Sequence, residues 1–248
     1  MKILAIESSA LVASAALYED GIIRAICSTN FKKTHSQTLM PMIDQVVKMT
    51  ETDLESLDAI AVSGGPGSFT GLRIGCAAAK GLGLALDKPL IHVPTLDAMA
   101  YNFCACRELI VPVMDARRNQ VYTGIYTFKE EEGRERLEIL LENSAMDIKE
   151  LLLLIKTGFF SGEKEKRFHR AVFLGDGVPV FKDAIKTAAE FEYTFASPAQ
   201  CYQSAASLAV LAAEYFTEGK IIPADAEKPV YLRPSQAERV KAEKEGRA

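Results

Sequence analysis

The sequence lacks the features that mark several classes of protein. Its 248 residues include no tryptophan, three histidines and five cysteines, and no two cysteines have CxxC spacing. Cys104 and Cys106 are too close together for a zinc-knuckle pair, so the cysteines are predicted to be reduced packing thiols. No two histidines have the HxxxH or HExxH spacing of the usual helical metal site.

Long apolar runs and an excess of basic residues are missing as well. No apolar run reaches the about 18 residues that a membrane span needs, and the first residues resemble a strand rather than a signal peptide. The formal net charge is −4, whereas a surface that grips nucleic acid needs clustered Lys and Arg. These absences predict a cytoplasmic protein that contacts no membrane and does not bind nucleic acid by itself.

The order of predicted strands and helices repeats once along the chain. In the first half, hydrophobic periodicity predicts three strands, a helix, a strand and a helix, within 2–31, 34–49, 59–62 and 68–86. The second half has the same β-β-β-α-β-α order, within 109–141, 146–155, 171–174 and 178–188. Such self-similarity indicates a duplication more strongly than any single element does.

The repeat also sets the predicted domain boundaries. We predict an α/β chain with an N-terminal subdomain at 1–106, a C-terminal subdomain at 107–222 and a tail at 223–248. A last amphipathic helix is predicted over 201–217. The charged segment 158–170 is predicted to be an exposed loop.

A glycine-rich turn, SGGPGS at 63–68, joins the central strand to the following helix. Glycines in such a turn let another backbone or an anion approach closely. Neither the Walker pattern nor the dinucleotide fingerprint fits, so a tight turn is favoured over phosphate binding. The candidate phosphate contacts that stay open are Gly65, Gly67, Ser68 and Asp115.

Two consecutive helices carry residues that suit close helix packing. On the second helix Gly71, Gly75, Ala79 and Gly83 recur every four positions. Each glycine inside a helix costs about 1 kcal/mol relative to alanine, so this stripe requires a close neighbour. We predict a partner interface made of Leu39, Met42, Ile43, Val46, Leu72, Gly75, Ala78, Ala79 and Leu82. Packing of these residues in the protein's own core is the alternative that the sequence leaves open.

Five segments resemble the bacterial TsaB (YeaZ) family almost from end to end. They are ILAIESS, THSQTLMPMIDQVV, DAIAVSGGPGSFTGLRIGCAAAKGLGLAL, VPVMDARRNQVY and PVYLRP. The resemblance implies an ASKHA fold, which is actin-like and ribonuclease H-like, with two duplicated subdomains.

The first half is also similar to TsaD, the catalytic relative of this family. In TsaD the corresponding helix carries an HxxxH metal pair, and aligning HVPTLDAMA on it puts Thr95 and Met99 at the two histidine positions. Threonine and methionine are poor ligands for a hard or borderline metal. The resemblance therefore implies a subunit without catalytic residues, metal or cofactor of its own, since ATP and metal belong to its partners.

The resemblance further implies a role in making threonylcarbamoyladenosine beside the anticodon of tRNAs that read ANN codons. The chain is then expected to pair with a TsaD-like catalytic subunit that a TsaE-like ATPase joins, to form homodimers when alone, and to meet tRNA only indirectly. The alternative is an ASKHA-class enzyme, either metalloprotease-like or an ATP-dependent kinase. That enzyme would use the acids that follow the first strand of each half, Glu7 and Asp115.

Overall fold

The computed structural model describes residues 1–161 and 167–233. The first half contains β1 (Lys2–Glu7), β2 (Ala13–Glu19), β3 (Ile22–Thr29), α1 (His35–Met49), β4 (Ala59–Gly65), α2 (Phe69–Leu86), β5 (Leu90–Pro94) and α3 (Thr95–Ala100). The second half contains β6 (Leu109–Asp115), β7 (Gln120–Glu131), β8 (Arg134–Asp147), α4 (Ile148–Ile155), β9 (Ala171–Leu174), α5 (Val178–Ala188), β10 (Tyr193–Phe195) and α6 (Ala205–Thr217). Among the helices of these described ranges, none has both the length and the apolar character needed to cross a membrane.

The two halves have the same sheet topology. The strand order is β3-β2-β1-β4-β5 in the first sheet and β8-β7-β6-β9-β10 in the second. In each sheet the first three strands are antiparallel and the last two run parallel to the central strand. This is the duplicated ASKHA arrangement, so the predicted fold class is confirmed.

Helices cover both faces of each sheet, and three apolar cores result. Side chains alternate along β1, so Ile3 and Ala5 face one core while Leu4 and Ile6 face another. The helices α1 and α2 cover the outer face of the first sheet, and α4 and α5 cover that of the second. The helices α3 and α6 lie between the sheets and pack on the half to which they do not belong in sequence.

Several predicted boundaries differ from the observed ones. The strand β10 was not predicted, because three residues are too few to show a hydrophobic period. The last helix begins at Ala205 instead of 201, since Ser204 accepts a hydrogen bond from the backbone N–H of Ala206. In the predicted loop 158–170, Phe168 is buried in the core of the second half, and residues 162–166 lie outside the described residues.

A buried hydrogen-bond network joins α3 to the second sheet. The Tyr126 hydroxyl lies 2.9 Å from Asp97 Oδ1 and 2.6 Å from Asn143 Oδ1, and Asn143 Nδ2 donates to Asp97 Oδ1 at 2.9 Å. Burial raises the pKa of Asp97, although the bonds from Asn143 and Tyr126 oppose this shift. The folded protein therefore favours the neutral form of Asp97 more than the unfolded chain does.

Replacing Asp97 by asparagine is expected to raise the free energy of unfolding at neutral pH. The folded pKa lies above the unfolded value of about 3.9, so ionisation of Asp97 destabilises the fold as pH rises through this window. Below the unfolded pKa this destabilisation is absent, and asparagine keeps an acceptor oxygen for both donors. Thermal denaturation between pH 3.5 and 8 should show that the stability of Asp97→Asn relative to the parent protein increases with pH. The exposed Asp183→Asn variant is the control, and equal pH profiles of Asp97→Asn and the parent protein would contradict this interpretation.

Candidate functional site

The glycine-rich turn after β4 is filled by the protein's own backbone. A Cβ atom on Gly65 would lie 2.3 Å from the Val230 carbonyl oxygen, and one on Gly67 would lie 2.3 Å from that of Ser9. The Ser68 hydroxyl caps α2 by accepting a hydrogen bond from Gly71 N–H at 3.3 Å. These contacts match a tight turn, and they occupy three of the four candidate phosphate contacts.

The two acids at the ends of β1 and β6 cap the turns that follow them. Glu7 is buried and accepts a 2.6 Å hydrogen bond from Ser9 N–H, and burial raises its pKa. Asp115, the fourth candidate phosphate contact, accepts from Arg117 N–H at 2.8 Å and pairs with the Arg117 guanidinium at 3.0 Å. Both carboxyl groups therefore have partners within their own turns.

The two residues at the histidine positions of TsaD are buried in the first turns of α3. Thr95 is fully buried, and its hydroxyl has no hydrogen-bond partner. Met99 is also buried and reaches Gly175, where its methyl carbon would lie 2.9 Å from an added Cβ atom. Neither side chain offers a nitrogen ligand. In the part of the chain that the structure describes, no three His, Cys, Asp or Glu side chains gather as a metal site.

The neighbour that the glycine stripe of α2 requires belongs to the same chain. A Cβ atom on Gly71 would lie 2.1 Å from the Ser8 carbonyl oxygen, and one on Gly75 would lie 2.2 Å from the Ser8 hydroxyl. One on Gly83 would lie 2.8 Å from the Cβ atom of Ala224. The stripe thus fits the end of β1 and a segment near the C-terminus rather than a partner.

Most of the predicted interface residues are buried for the same reason. Seven of the nine lie in the core, namely Leu39, Met42, Ile43, Val46, Leu72, Gly75 and Ala79. An amphipathic helix buries its apolar stripe against its own sheet, so these seven pack in the protein's own core, the alternative that the sequence left open. Ala78 and Leu82 are partly exposed, and their role stays a prediction.

A different face of α2 is exposed and almost uncharged. We define this outer face as Ala77, Gly81, Leu84 and Ala85, which are exposed and share one side of the helix. Leu84 is 64% exposed, and a Cβ atom on Gly81 would meet no atom within 4 Å. This face was not predicted, because the longer glycine stripe gives a stronger signal. Within residues 1–161 and 167–233, no contact accounts for a glycine at position 81.

A C-terminal strap, residues 222–233, runs back across the first half along α2. It begins at an antiparallel bridge between Ile222 and Leu90, and its Val230 N–H donates to the Gly64 carbonyl at 2.7 Å. Arg233 then donates to the Ala116 carbonyl in the second half at 2.7 Å. The remainder of the predicted tail, 234–248, lies outside the described residues.

A buried carboxylate fixes the middle of the strap. The Glu227 side chain is fully buried, and its Oε1 lies 2.9 Å from His92 Nδ1. Gly64 makes room for this contact, because a Cβ atom there would lie 1.9 Å from the imidazole ring. Local sequence patterns could not predict this contact, since the two residues are 135 positions apart.

Comparisons with known proteins agree on one family. The sequence model of the family described as "TsaD: tRNA N6-adenosine threonylcarbamoyltransferase" matches residues 20–240. The TsaB protein of Escherichia coli is 31% identical over 244 residues, which cover 96% of each chain. The TsaB protein of Bacillus subtilis is 40% identical over 129 residues, and that match covers 52% of this chain and 56% of the relative. The solved structure of YeaZ from Pseudomonas aeruginosa has the same fold, with a TM-score of 0.71 at 24% identity over 93% of this chain and 99% of that one.

Proposed function

Because the chain belongs to the TsaB (YeaZ) family, we propose that it is a non-catalytic subunit of a complex that makes threonylcarbamoyladenosine in tRNA. Relatives of this chain are named for the biosynthesis of that modified nucleoside. In the proposed complex a TsaD-like subunit transfers the threonylcarbamoyl group from its adenylate to the adenosine beside the anticodon. A TsaE-like ATPase joins the pair in the cytoplasm, and this chain contributes binding rather than chemistry.

The observation that carries the proposal is the exposed glycine on the outer face of α2. Gly81 costs about 1 kcal/mol of helix stability relative to alanine, and no contact with the described residues offsets this cost. A helix of another subunit that packs across Ala77 and Gly81 could approach the α2 backbone closely. Leu84 at 64% exposure would bury its side chain there. We therefore place the TsaD-like subunit on the outer face of α2.

The chemistry of the ancestral site supports a role without catalysis. Thr95 and Met99 supply no imidazole, and Glu7 and Asp115 are engaged within their own turns. The glycine turn that could cradle a phosphate is packed against Ser9 and Val230. The geometry thus favours the subunit over the alternative ASKHA-class kinase.

Reconstitution from purified components tests the proposal. The TsaD-like and TsaE-like subunits, tRNA and the substrates of the reaction are combined with and without this chain, and modified adenosine is measured by mass spectrometry. We expect modification only when the chain is present, and an Asp115→Ala variant should support it as well as the parent chain. Full modification without the chain would contradict the proposal. ATP turnover by the chain alone that Asp115→Ala abolishes would favour the kinase.

We also propose that the chain forms a homodimer through the outer face of α2 when the TsaD-like subunit is absent. An exposed apolar face that binds a structural relative can bind a second copy of itself, since the two subunits share the fold. Sedimentation should then show that added TsaD-like subunit converts homodimers into heterodimers. If two copies of this chain stay paired through the outer face of α2 while the TsaD-like subunit is also bound, the two partners do not share one surface and the proposal is contradicted.

A further inference from the structure

A cavity of about 410 Å³ lies between α2 and the C-terminal strap. One wall is formed by Arg73, Cys76, Ala77 and Lys80, which lie on one side of α2. The strap supplies Lys228 and Tyr231 to the opposite wall. The cavity is open to solvent along one side, and its mouth adjoins the outer face of α2 because Ala77 belongs to both.

Among the residues that the structure describes, three cationic side chains and no acidic side chain line this cavity. Arg73 Nε donates to the Tyr231 hydroxyl at 3.2 Å, and its guanidinium lies 3.9 Å from the centre of the Phe69 ring. Lys80 Nζ donates to the backbone carbonyl of Glu227 at 3.1 Å. Within residues 1–161 and 167–233, none of Arg73, Lys80 and Lys228 forms an ion pair with a carboxylate.

The side chain of Glu227, the strap residue before Lys228, does not line the cavity. Glu227 directs Oε1 to His92, its side chain is fully buried, and only its carbonyl oxygen contacts Lys80. A chain with a formal net charge of −4 therefore concentrates three cations around one apolar space. Such a site attracts an anionic group electrostatically, and it offers apolar contacts to the molecule that carries this group.

We propose that this cavity receives an acidic segment of the TsaD-like subunit, whose carboxylates contact Arg73, Lys80 and Lys228. A protein occupant fits better than a small molecule, because an open cavity buries too little of a small ligand's surface. A partner that covers the outer face of α2 also reaches the cavity, because Ala77 belongs to both surfaces. This inference rests on the proposed function and adds an electrostatic determinant to it.

Charge reversal in the heterodimer tests the inference. The variant Lys80→Glu/Lys228→Glu is compared with Lys149→Glu/Lys186→Glu, which makes the same change of net charge on exposed positions of α4 and α5. Titration calorimetry with the TsaD-like subunit should show a Kd at least about 20-fold weaker for the cavity variant and within about 3-fold of the parent for the control. Raising the salt concentration should weaken binding of the parent chain more than that of the cavity variant.

The outcomes separate this inference from the proposed function. If the parent chain does not bind the TsaD-like subunit, the proposed function fails; if it binds and the two variants bind equally well, only the cavity inference fails. Inorganic pyrophosphate is titrated into the isolated chain as a probe of small anions. Micromolar binding that the cavity variant loses would assign the site to a small anion and overturn the acidic segment. Thermal denaturation checks folding, and the exposed single variant Lys228→Glu replaces the double variant if that variant is unfolded.

Discussion

Replacing Gly81 by glutamine is expected to weaken binding of the TsaD-like subunit by at least about 100-fold while the chain itself stays folded. A glutamine there projects into open space, since no atom lies within 4 Å of the added Cβ, and it is a better helix former than glycine. In the complex the same side chain would separate two closely packed helices. A loss of about 3 kcal/mol at the centre of an interface corresponds to about this change in Kd. Titration calorimetry and the thermal midpoint of the isolated chain measure the two effects.

Gly158→Gln is the matched control for this prediction. Gly158 is also an exposed helical glycine with no atom within 4 Å of an added Cβ, but it lies in the second half, beyond α4. Both variants should be at least as stable as the parent chain, and only Gly81→Gln should lose its partner. Unchanged binding by Gly81→Gln would remove the outer face of α2 from the interface. Equal losses in the two variants would mean that the effect is not specific to that face.

Hydrophobic periodicity was sufficient to predict most of the fold. The β-β-β-α-β-α repeat and the limits of β9 and α5 follow from residue spacing, because these features depend on neighbours close in sequence. The short strand β10 depends instead on its pairing with β9. It carries no local pattern that a sequence analysis could detect.

The candidate site was harder to predict, because periodicity shows that one side of a helix is apolar but not what covers it. The same stripe that was assigned to a partner is covered by β1 through Ser8 and by Ala224 of the strap. The contact between His92 and Glu227 joins residues 135 positions apart. Only the structure shows whether a glycine of α2 faces the core or the solvent. The proposed interface on the outer face of α2 depends on this distinction.

The same substitution at two glycines of α2 is expected to change stability in opposite directions. Alanine at Gly81 should raise the free energy of unfolding by about 0.5 to 1 kcal/mol, because it favours the helix and meets no atom. Alanine at Gly71 should lower it by about 3 kcal/mol. Its Cβ would lie 2.1 Å from the Ser8 carbonyl oxygen, so the end of β1 or the start of α2 must shift.

That shift would also disturb two hydrogen bonds of Gly71. Ser8 Oγ donates to the Gly71 carbonyl at 2.9 Å, and Gly71 N–H donates to the Ser68 cap at 3.3 Å. Urea denaturation should give a higher midpoint for Gly81→Ala and a lower midpoint for Gly71→Ala than for the parent chain, with similar slopes. A Gly71→Ala variant as stable as the parent would mean that the turn after β1 can shift at little energetic cost. The glycine stripe of α2 would then lack its explanation within the chain, and its assignment to a partner would have to be reopened.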